Sequence, residues 1–472
     1  MPERFDLAIV GAGAAGLIAA DFALKLGARV ALLERDRIGG DCTWTGCVPS
    51  KSLVKAAAIA ANVRSASRFG ITVGEPVIDL AQVREYLRGR IEHIYAPTAP
   101  EALRAKGLTV KLGATRFVDP HTLEVGGDLL QARRVLVCTG AEPRRPRVSG
   151  MDRVPHLTYR DVFENDRLPA SLVVIGGGPV GCEIAQCYQR LGARVTVVAP
   201  RLLPRAEEQA SELLSRAFAR EGLEHVRARA ESVREGAGHV RVQTAAGEAA
   251  GEALLVAVGR APNLHGLELE RAGVRYGERG IEVNARLQTT ARHIYAAGDV
   301  IGGPQFSHLA GWQAFLAVRN AMLPGGGDVV PAALPEVTYT VPEVARVGLT
   351  EAQARERFGG AVRVASLDLA RVDRAVSEND RDGFIKLVAN RRGRLLGATL
   401  VAERAGEALA EVTLAIASRL RLRDLAATIH PYPTYNSAIQ LLASQLATQE
   451  ALSGFRGTLA RRLSRWSRGT ER

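Results

Sequence analysis

Two cysteines separated by four residues, Cys42 and Cys47, are the side chains of this sequence best suited to redox chemistry. A close thiol pair can carry two electrons by opening and closing a disulfide. The pair lies in the run Gly39-Gly40-Asp41-Cys42-Thr43-Trp44-Thr45-Gly46-Cys47-Val48-Pro49-Ser50-Lys51, soon after a glycine-rich turn of the kind that binds a dinucleotide. This placement predicts a protein that passes electrons from a bound nucleotide to a dithiol.

A zinc site is the main alternative for the cysteine pair. Structural zinc takes four ligands, which usually include a second close pair of cysteine or histidine residues. Cys138 and the pair Cys182 and Cys187 have no such neighbours in the sequence. No metal site is therefore predicted, and Cys182 and Cys187 are expected to be small buried apolar residues of a helix.

The turn in front of the cysteines belongs to a strand–turn–helix unit. A mostly apolar strand, Phe5 to Val10, leads into Gly11-Ala12-Gly13-Ala14-Ala15-Gly16 and a helical stretch up to Leu26. The first glycine permits the tight turn, the second lets a pyrophosphate approach the backbone, and the third allows close packing. The N-H groups at the start of the helix suit phosphates, and Glu34, at the end of the next strand, suits ribose hydroxyls.

The same unit occurs a second time. Leu172-Val173-Val174-Ile175 leads into Gly176-Gly177-Gly178-Pro179-Val180-Gly181, so a second nucleotide site is predicted. Here Ala199 stands at the position that corresponds to Glu34, and a carboxylate that would repel a 2′-phosphate is absent. Arg201 and Arg205 follow and can bind that phosphate through charged hydrogen bonds. The predicted second ligand is NADPH, with NADH as a possibility.

Together with these units, three further motifs identify a family. They are Val137-Cys138-Thr139-Gly140-Ala141-Glu142-Pro143, then Val258-Gly259-Arg260-Ala261-Pro262-Asn263, and finally Thr289-Thr290 with Ile294-Tyr295-Ala296-Ala297-Gly298-Asp299. The chain resembles the flavin-dependent pyridine nucleotide-disulfide oxidoreductases, the group of dihydrolipoamide dehydrogenase, glutathione reductase and mercuric reductase. The resemblance runs from about Phe5 to about Leu446.

The resemblance implies an α/β fold. Two Rossmann-like dinucleotide-binding domains, one for FAD and one for NAD(P), are joined by an α+β C-terminal dimerisation domain. The expected limits are 1–150 and 266–335 for the FAD domain, 151–265 for the NAD(P)H domain and 336–448 for the dimerisation domain. A basic amphipathic tail is predicted over 449–472. The resemblance also implies a homodimer in which both subunits contribute to each active site.

The resemblance assigns roles to individual residues. Electrons from NADPH reach a Cys42–Cys47 disulfide through the flavin, with Cys47 nearest the flavin and Cys42 facing the acceptor. Pro49 is expected to be the first residue of the following helix, which would place Cys47 at the helix's positive end. Lys51 and Glu183 match a pair beside the flavin ring, and the predicted catalytic residues are Cys42, Cys47, Lys51, Glu183 and Tyr432. Asp299 matches the residue that binds the flavin ribitol. The predicted cofactor-binding residues are Gly11, Gly13, Gly16, Glu34, Arg35, Gly40, Lys51, Thr139, Gly140, Gly176, Gly178, Gly181, Arg201, Arg205, Gly259, Gly298, Asp299 and His308.

The C-terminal third indicates the branch of the family. Relatives that reduce organic disulfides carry a histidine before a proline and a glutamate four residues past that proline, and this pair moves the proton of the substrate thiol. In the run Ile429-His430-Pro431-Tyr432-Pro433-Thr434-Tyr435-Asn436-Ser437, Tyr432 and Ser437 take those two places, and His430 falls two residues too early. Tyrosine, with an unperturbed pKa of about 10, is a poor proton shuttle at neutral pH. Dihydrolipoamide dehydrogenase activity is therefore the alternative.

The sequence looks closer to the mercuric reductase branch, which carries Pro-Tyr at this place. The runs Asp373-Arg374-Ala375 and Gly383-Phe384-Ile385-Lys386-Leu387 favour the same branch. Soft Hg(II) suits paired thiolates, and Tyr432 is expected to assist at Cys42 of the partner subunit. That branch delivers its metal through a C-terminal cysteine pair, yet no cysteine follows Cys187 here. We therefore predict a mercuric reductase-like enzyme with a metal-ion or disulfide acceptor. A non-catalytic redox-sensing flavoprotein is the second alternative.

Composition argues against several other classes of protein. A chain of 472 residues, 47% apolar and with five cysteines, can bury several cores and does not resemble a disulfide-stapled secreted scaffold. The first strand begins by Phe5 and no uncharged apolar run is long enough to span a bilayer, so a cytoplasmic location is expected. The net charge of +12 is spread along the chain, and no nucleic-acid partner is predicted.

The tail has the pattern of a basic amphipathic helix. Its apolar positions recur at helical spacing among arginines and are Leu452, Phe455, Leu459, Leu463 and Trp466. A helix docked on its own subunit, or a frayed tail, is the favoured interpretation. Weak contact with a membrane surface is the alternative.

Overall fold

The computed structural model describes residues 2–236, 238–452, 457–459 and 462–463. The chain forms two compact units. Met1–Ala199 with Val226–Val330 make up the first unit, and Pro200–His225 with Pro331–Arg472 make up the second.

The strands of the described residues are, in chain order, β1 (Glu3–Val10), β2 (Val30–Glu34), β3 (Thr109–Leu112), β4 (Thr115–Phe117), β5 (Thr122–Val125), β6 (Asp128–Val137), β7 (Ala141–Pro143), β8 (Ser171–Ile175), β9 (Arg194–Val198), β10 (Glu224–Val226), β11 (Ala230–Gly236), β12 (His239–Thr244), β13 (Gly247–Gly251), β14 (Ala253–Val256), β15 (Arg260–Pro262), β16 (Tyr276–Gly277), β17 (Gly280–Ile281), β18 (Ile294–Ala296), β19 (Pro335–Thr338), β20 (Glu343–Gly348), β21 (Val362–Asp368), β22 (Phe384–Asn390) and β23 (Leu395–Ala402).

The α-helices are α1 (Ala14–Lys25), α2 (Gly40–Trp44), α3 (Cys47–Ser65), α4 (Leu80–Tyr95), α5 (Pro100–Ala105), α6 (Pro179–Leu191), α7 (Glu208–Arg220), α8 (Ser307–Met322), α9 (Glu351–Phe358), α10 (Asp373–Ser377), α11 (Ala405–Ala417), α12 (Leu422–Ala427) and α13 (Tyr435–Ala451).

A seven-stranded sheet forms the centre of the first unit. Its strand order is β3-β2-β1-β6-β5-β4, and β18 also pairs with β6. The strands β3, β2, β1, β6 and β18 are parallel, whereas β5 and β4 are antiparallel additions. Because neighbouring parallel strands end at the same edge, the turns after β1, β6 and β18 open together where doubly wound folds bind ligands.

Both faces of this sheet are buried, which explains why β1 is apolar from Leu7 to Val10. Leu7 and Ile9 belong to the core that includes residues of α1 and α8, whereas Ala8 and Val10 belong to the core on the other side. Successive side chains of a strand point to opposite faces, so a strand covered on both faces needs apolar residues at every position.

A second parallel arrangement, β9-β8-β14, lies in the same unit. It is accompanied by the antiparallel sheet β11-β12-β13. The two glycine-rich turns thus connect β1 to α1 and β8 to α6, each between a parallel strand and a helix. This confirms the predicted α/β fold with two Rossmann-like units.

The second unit contains an antiparallel five-stranded sheet in the order β19-β20-β23-β22-β21. Leu409 and Val412 of α11 and Ile439 and Leu442 of α13 share a buried core with strand residues such as Leu400. An antiparallel sheet with helices packed on it is the α+β architecture that the sequence predicts for the C-terminal part.

One predicted helix start is wrong. Helix α3 begins at Cys47 with Gly46 as its cap, so Pro49 is the third residue and not the first. The first hydrogen bond of the helix runs from Ser50 N to Gly46 O at 3.0 Å, so the helix needs no N-H donor at Pro49. A proline is tolerated there because the N-H groups of the first turn have no intrahelical partner.

The boundaries of the predicted domains remain predictions. The tail falls largely outside the described residues, including Phe455, Arg456, Arg461, Arg465, Trp466 and Arg468. Within the part of the chain that is described, no helix combines the length and apolar character needed to cross a membrane.

Candidate active site

The two cysteines of the redox pair lie on consecutive helices. Cys42 belongs to the short helix α2, and Cys47 opens α3. The turn between them is tight, since a Cβ added to Gly46 would lie 2.7 Å from the carbonyl oxygen of Asp41. Both side chains are thiols, and they are hydrogen bonded to each other.

The two thiols differ sharply in acidity. The hydrogen bond with Cys42 lowers the pKa of Cys47 to about 6; a hydrogen bond with Ser307 and the charge of Lys51 act in the same direction, against burial. The hydrogen bond with Cys47 raises the pKa of Cys42 well above its ordinary value, and burial adds to the effect. The first turn of α3 further favours a thiolate at Cys47. The directions of the two shifts favour a thiolate at Cys47 and a protonated thiol at Cys42.

Ser307 is a neighbour of Cys47 that the sequence analysis missed. Its Oγ lies 3.3 Å from Cys47 Sγ, although the two residues are 260 positions apart. Ser307 is the first residue of α8. Its one signal in the sequence is its position before His308 at a helix start, which does not distinguish it from an ordinary serine.

Lys51 and Glu183 form an ion pair between α3 and α6. Lys51 Nζ lies 2.7 Å from Glu183 Oε2, and the glutamate side chain is only 6% exposed. A carboxylate buried this deeply requires a charged partner, because an uncompensated buried charge is strongly destabilising. The structure thus brings Lys51 and Glu183 together and places the lysine charge where it acts on Cys47. Their role beside a flavin stays a prediction.

The first glycine-rich turn has the geometry of a phosphate cradle. Gly11 has a φ of +103°, and its Cβ would lie 2.4 Å from Cys138 O. A Cβ on Gly16 would lie 1.9 Å from Gly11 O, whereas one on Gly13 would meet nothing closer than Gly40 Cα at 3.8 Å. The first and third glycines are therefore demanded by the fold, and the second leaves room in front of the helix. These residues fit the pyrophosphate of FAD.

Glu34 and Gly40 border the same turn. The carboxylate of Glu34 accepts hydrogen bonds from Ala12 N at 2.7 Å and Asp36 N at 2.8 Å. Gly40 has a φ of +57°, and its Cβ would lie 2.8 Å from Gly13 Cα. The loop that carries the cysteines can approach the glycine-rich turn only because both positions lack side chains.

Thr139 and Gly140 follow β6 and are joined to the motif around Gly259. Thr139 Oγ1 donates to Asn263 O at 2.8 Å, and Asn263 Nδ2 donates to Thr139 O at 2.9 Å. Asn263 N also donates to Gly140 O at 3.0 Å. Gly259 has a φ of +110° and accepts a backbone hydrogen bond from Arg144. Hydrogen bonds thus join the segment that follows β6 to the motif around Gly259, although the two lie far apart in sequence.

Asp299 lies in a buried charge network that the sequence analysis predicted only in part. Arg260 Nη1 lies 2.7 Å from Asp299 Oδ2, and its Nη2 lies 2.5 Å from Asp41 Oδ2. Tyr159 donates to the same Asp41 oxygen at 2.7 Å. Burial raises the pKa of Asp299, and the charge of Arg260 opposes that shift. Gly298, with a φ of +80°, donates its N-H to Gln313 Oε1 at 3.0 Å. Asp41 is the residue before Cys42, so this network ties the redox loop to the turn after β18.

The second glycine-rich turn repeats the geometry of the first. Gly176 has a φ of +127° with its Cβ 2.3 Å from Ala257 O, and a Cβ on Gly181 would lie 2.1 Å from Gly176 O. At Gly178 a Cβ would meet no protein atom within 4 Å. The turn therefore fits the pyrophosphate of a second dinucleotide. On the helix that follows, Cys182 and Cys187 are buried, as predicted.

The remaining predicted cofactor residues lie at several places. Arg35 and His308 are exposed in the first unit. Arg201 and Arg205 belong to the second unit, where Arg201 Nη2 donates to Ala206 O at 3.0 Å and Arg205 lies 4.0 Å from Glu336. Arg201 Nε is buried and lacks a hydrogen-bond partner among the residues described. Their contact with a nucleotide stays a prediction.

Tyr432 is an exposed residue of the second unit, with 74% of its surface accessible. Its hydroxyl donates to the carboxylate of Asp373, and this hydrogen bond raises the pKa of Tyr432. Ser437 donates to Thr434 O at 2.6 Å. His430 is held by Thr428 O at 3.0 Å and Glu411 Oε1 at 2.6 Å, so that each ring nitrogen faces an acceptor. Asp373 is a partner of Tyr432 that sequence reasoning missed.

Metal-binding geometry is a separate question. Across the described ranges, no three histidine, cysteine, aspartate or glutamate side chains are grouped so as to hold a metal ion.

Comparison with known families covers nearly the whole chain. Residues 5–314 match the family described as pyridine nucleotide-disulphide oxidoreductase, and residues 334–443 match the dimerisation domain of the same family. These two matches confirm the resemblance read from the motifs.

Individual relatives cover most of the chain. A mercuric reductase from Streptomyces lividans is 37% identical over 461 residues, which cover 95% of this chain and 97% of that protein. A dihydrolipoyl dehydrogenase from Thermus scotoductus is 36% identical over 461 residues, covering 95% and 98%. Among solved structures, the HOCl-induced flavoprotein disulfide reductase RclA from Escherichia coli aligns with a TM-score of 0.83 at 27% identity, covering 93% of this chain and 99% of that one.

Proposed function

The chain belongs to the pyridine nucleotide-disulphide oxidoreductase family, and we propose that it uses NADPH and FAD to reduce a soft metal ion such as Hg(II) through Cys42 and Cys47. The observation that carries the proposal is the unequal thiol pair. Cys42 and Cys47 are hydrogen bonded to each other, and their contacts, together with the charge of Lys51, lower the pKa of Cys47 and raise the pKa of Cys42.

The residues of the first unit fit the two cofactors. A bound flavin supplies a two-electron relay between the nicotinamide and the sulfur pair. Gly13 leaves its backbone open to the pyrophosphate, Glu34 offers its carboxylate to the ribose, and Asp299 offers its carboxylate to the ribitol. Gly178 leaves the corresponding space for the nicotinamide nucleotide. We infer a preference for NADPH, because Ala199 removes the carboxylate that would repel a 2′-phosphate.

Proton balance favours a metal ion over an organic disulfide as the acceptor. Reduction of Hg(II) by NADPH gives Hg(0), NADP⁺ and a proton, so no proton has to be delivered to the product. Reduction of a disulfide by NADPH consumes a proton and releases two thiols, which requires a proton donor near the acceptor. Soft metal ions also bind thiolates in preference to oxygen ligands.

Among the described C-terminal residues, those that take the places of the family's acid–base pair are poorly suited to deliver a proton to a disulfide. Ser437 donates to a backbone carbonyl, and His430, two residues too early in the sequence, is held between Thr428 O and Glu411 Oε1. Tyr432 has a raised pKa, so it stays protonated and serves as a neutral hydrogen-bond donor or weak ligand. We propose that it performs this role at Cys42 of the partner subunit in a homodimer, which the match to a dimerisation domain supports.

The proposal is tested by anaerobic NADPH oxidation with Hg(II), lipoamide, glutathione disulfide and quinones as separate acceptors. We expect the largest kcat/KM with Hg(II) and a loss of at least a thousandfold in Cys42→Ser, because one thiol cannot supply two electrons. Cys138→Ala is the matched control, since Cys138 is buried outside the pair.

Faster turnover with lipoamide than with Hg(II) would establish the dihydrolipoamide dehydrogenase alternative. Reduction of the bound flavin without turnover of any acceptor would establish the redox-sensing alternative. Equal rates for the wild type and Cys42→Ser would exclude the sulfur pair from the reaction.

A further inference from the structure

We propose that Ser307 is a positioning residue of the redox pair, whose hydroxyl donates a hydrogen bond to the Cys47 thiolate and so fixes which sulfur holds the negative charge. The inference rests on the proposed function, because a charged Cys47 matters only if the pair exchanges electrons. It names a side chain that lies far from the cysteines in sequence and outside every motif that identified the family.

The contact is a specific one. Ser307 Oγ lies 3.3 Å from Cys47 Sγ, within the range of a hydrogen bond to sulfur. A thiolate has no hydrogen and can only accept, so in the charged state the hydroxyl must be the donor. The Cys42 thiol is a second donor to the same sulfur. The Cys47 thiolate is therefore held by two donors from different parts of the chain.

The position of the hydroxyl is fixed by a helix that is buried on one face. Ser307 is the first residue of α8, which runs for 16 residues to Met322. Ala310, Ala314 and Ala317 of this helix belong to the core that also contains α1. Gln313 of the same helix accepts the N-H of Gly298, next to Asp299. A helix anchored at these points keeps Ser307 beside Cys47 without a loop that could move away.

The hydroxyl acts unequally on the two thiols. It favours the charged form of Cys47, and the Cys47 thiolate in turn disfavours a second charge on Cys42. Lys51 contributes a positive charge from the side of α3, but a lysine that is 38% exposed is partly screened by water. Ser307 therefore stabilises the Cys47 thiolate through a directional hydrogen bond, and Lys51 stabilises it through its positive charge.

The experiment uses the flavin-loaded protein in a Cys42→Ser background, where Cys47 is the sole remaining thiol of the pair. The pH dependence of the long-wavelength thiolate-to-flavin absorbance gives the pKa of Cys47. We expect Ser307→Ala to raise this pKa by about one to two units, a loss of ten- to a hundredfold in acidity, as for a hydrogen bond to a charged group. Ser307→Thr, which keeps the hydroxyl, should stay within about half a unit of the parent.

Ser52→Ala in the same background is the control. Ser52 lies in α3, and its hydroxyl donates to Val48 O at 2.9 Å rather than to a sulfur, so its pKa profile should match the parent. Flavin content and thermal melting of every variant show that the fold is retained. A Ser307→Ala profile that coincides with the parent would overturn the inference.

The two proposals fail in different ways. If the parent variant has no long-wavelength absorbance at any pH, the proposed function fails, and the pH dependence of Cys47 alkylation by iodoacetamide still tests Ser307. If the absorbance is present and insensitive to Ser307→Ala, the proposed function stands and the role of Ser307 is refuted.

Discussion

Two alanine substitutions in the second glycine-rich turn, three residues apart, should distinguish its role in nucleotide binding from its role in the stability of the fold. Gly178 has φ −76° and ψ 177°, an extended conformation that alanine adopts freely, and its Cβ would meet no protein atom within 4 Å. Gly181 lies in α6, and its Cβ would lie 2.1 Å from Gly176 O, a backbone atom that cannot rotate away. Gly178→Ala should therefore fold, and Gly181→Ala should be strained.

The expected magnitudes follow from these contacts. A methyl group at Gly178 fills the space of the pyrophosphate and removes about one charged hydrogen bond, roughly 1.5–3 kcal/mol, which corresponds to a ten- to hundredfold rise in KM for NADPH. Its stability should be unchanged or rise by up to about 1 kcal/mol, since alanine restricts the unfolded chain. Gly181→Ala should lower the free energy of unfolding by about 1–3 kcal/mol through overpacking.

The assay combines steady-state NADPH oxidation, which gives KM, with thermal melting. The predicted outcome is weak NADPH binding with a normal melting temperature for Gly178→Ala, and a lowered melting temperature for Gly181→Ala. An unchanged KM in Gly178→Ala would refute the assignment of this turn as the nucleotide cradle. A lowered melting temperature in Gly178→Ala would refute the claim that its space is open.

Three further predictions concern other parts of the molecule. The double variant Arg201→Ala/Arg205→Ala should raise KM for NADPH by about tenfold and leave KM for NADH unchanged, as steady-state kinetics with both nucleotides will show. Ser307 and Lys51 lower the pKa of Cys47 independently of Cys42, so in Cys42→Ser the rate of Cys47 alkylation should still rise with pH from an inflection below the ordinary thiol range, and an inflection at or above pH 8.5 would contradict this. Lys386 is buried between Glu351 at 3.0 Å and Glu207 at 3.7 Å, so Lys386→Met should lower the free energy of unfolding by about 3–5 kcal/mol, as measured by urea denaturation. The double variant Lys386→Met/Glu351→Gln is the control and should recover part of this loss.

The local patterns of the sequence were sufficient to predict both nucleotide-binding units. The glycines at 11, 13 and 16 and at 176, 178 and 181 have conformations and contacts that follow from backbone sterics within one turn. Such local requirements are visible in the residue types themselves. The wrong helix start at Pro49 also has a local cause, because proline is accepted at several positions of a first turn.

The contacts that complete the active site could not be predicted in the same way. Ser307 meets Cys47 across 260 residues, and Arg260 meets Asp41 across 219. Neither serine nor arginine carries a periodic signal that identifies a distant partner. These pairs emerge only when the sheet brings the segments after β2 and β18 to one edge and when β15 pairs with β7. Lys51 and Glu183 were paired in advance only through the family resemblance.

The central claim is that electrons from NADPH arrive at Cys42 and Cys47. The most direct measurement is anaerobic titration of the flavin-loaded, oxidised protein with NADPH, followed by quantification of newly alkylated cysteines by peptide mass spectrometry. The account predicts that alkylation appears at Cys42 and Cys47 together, in step with a long-wavelength absorbance, while Cys138, Cys182 and Cys187 remain unchanged. Full reduction of the flavin with no gain of thiols at Cys42 and Cys47 would contradict it.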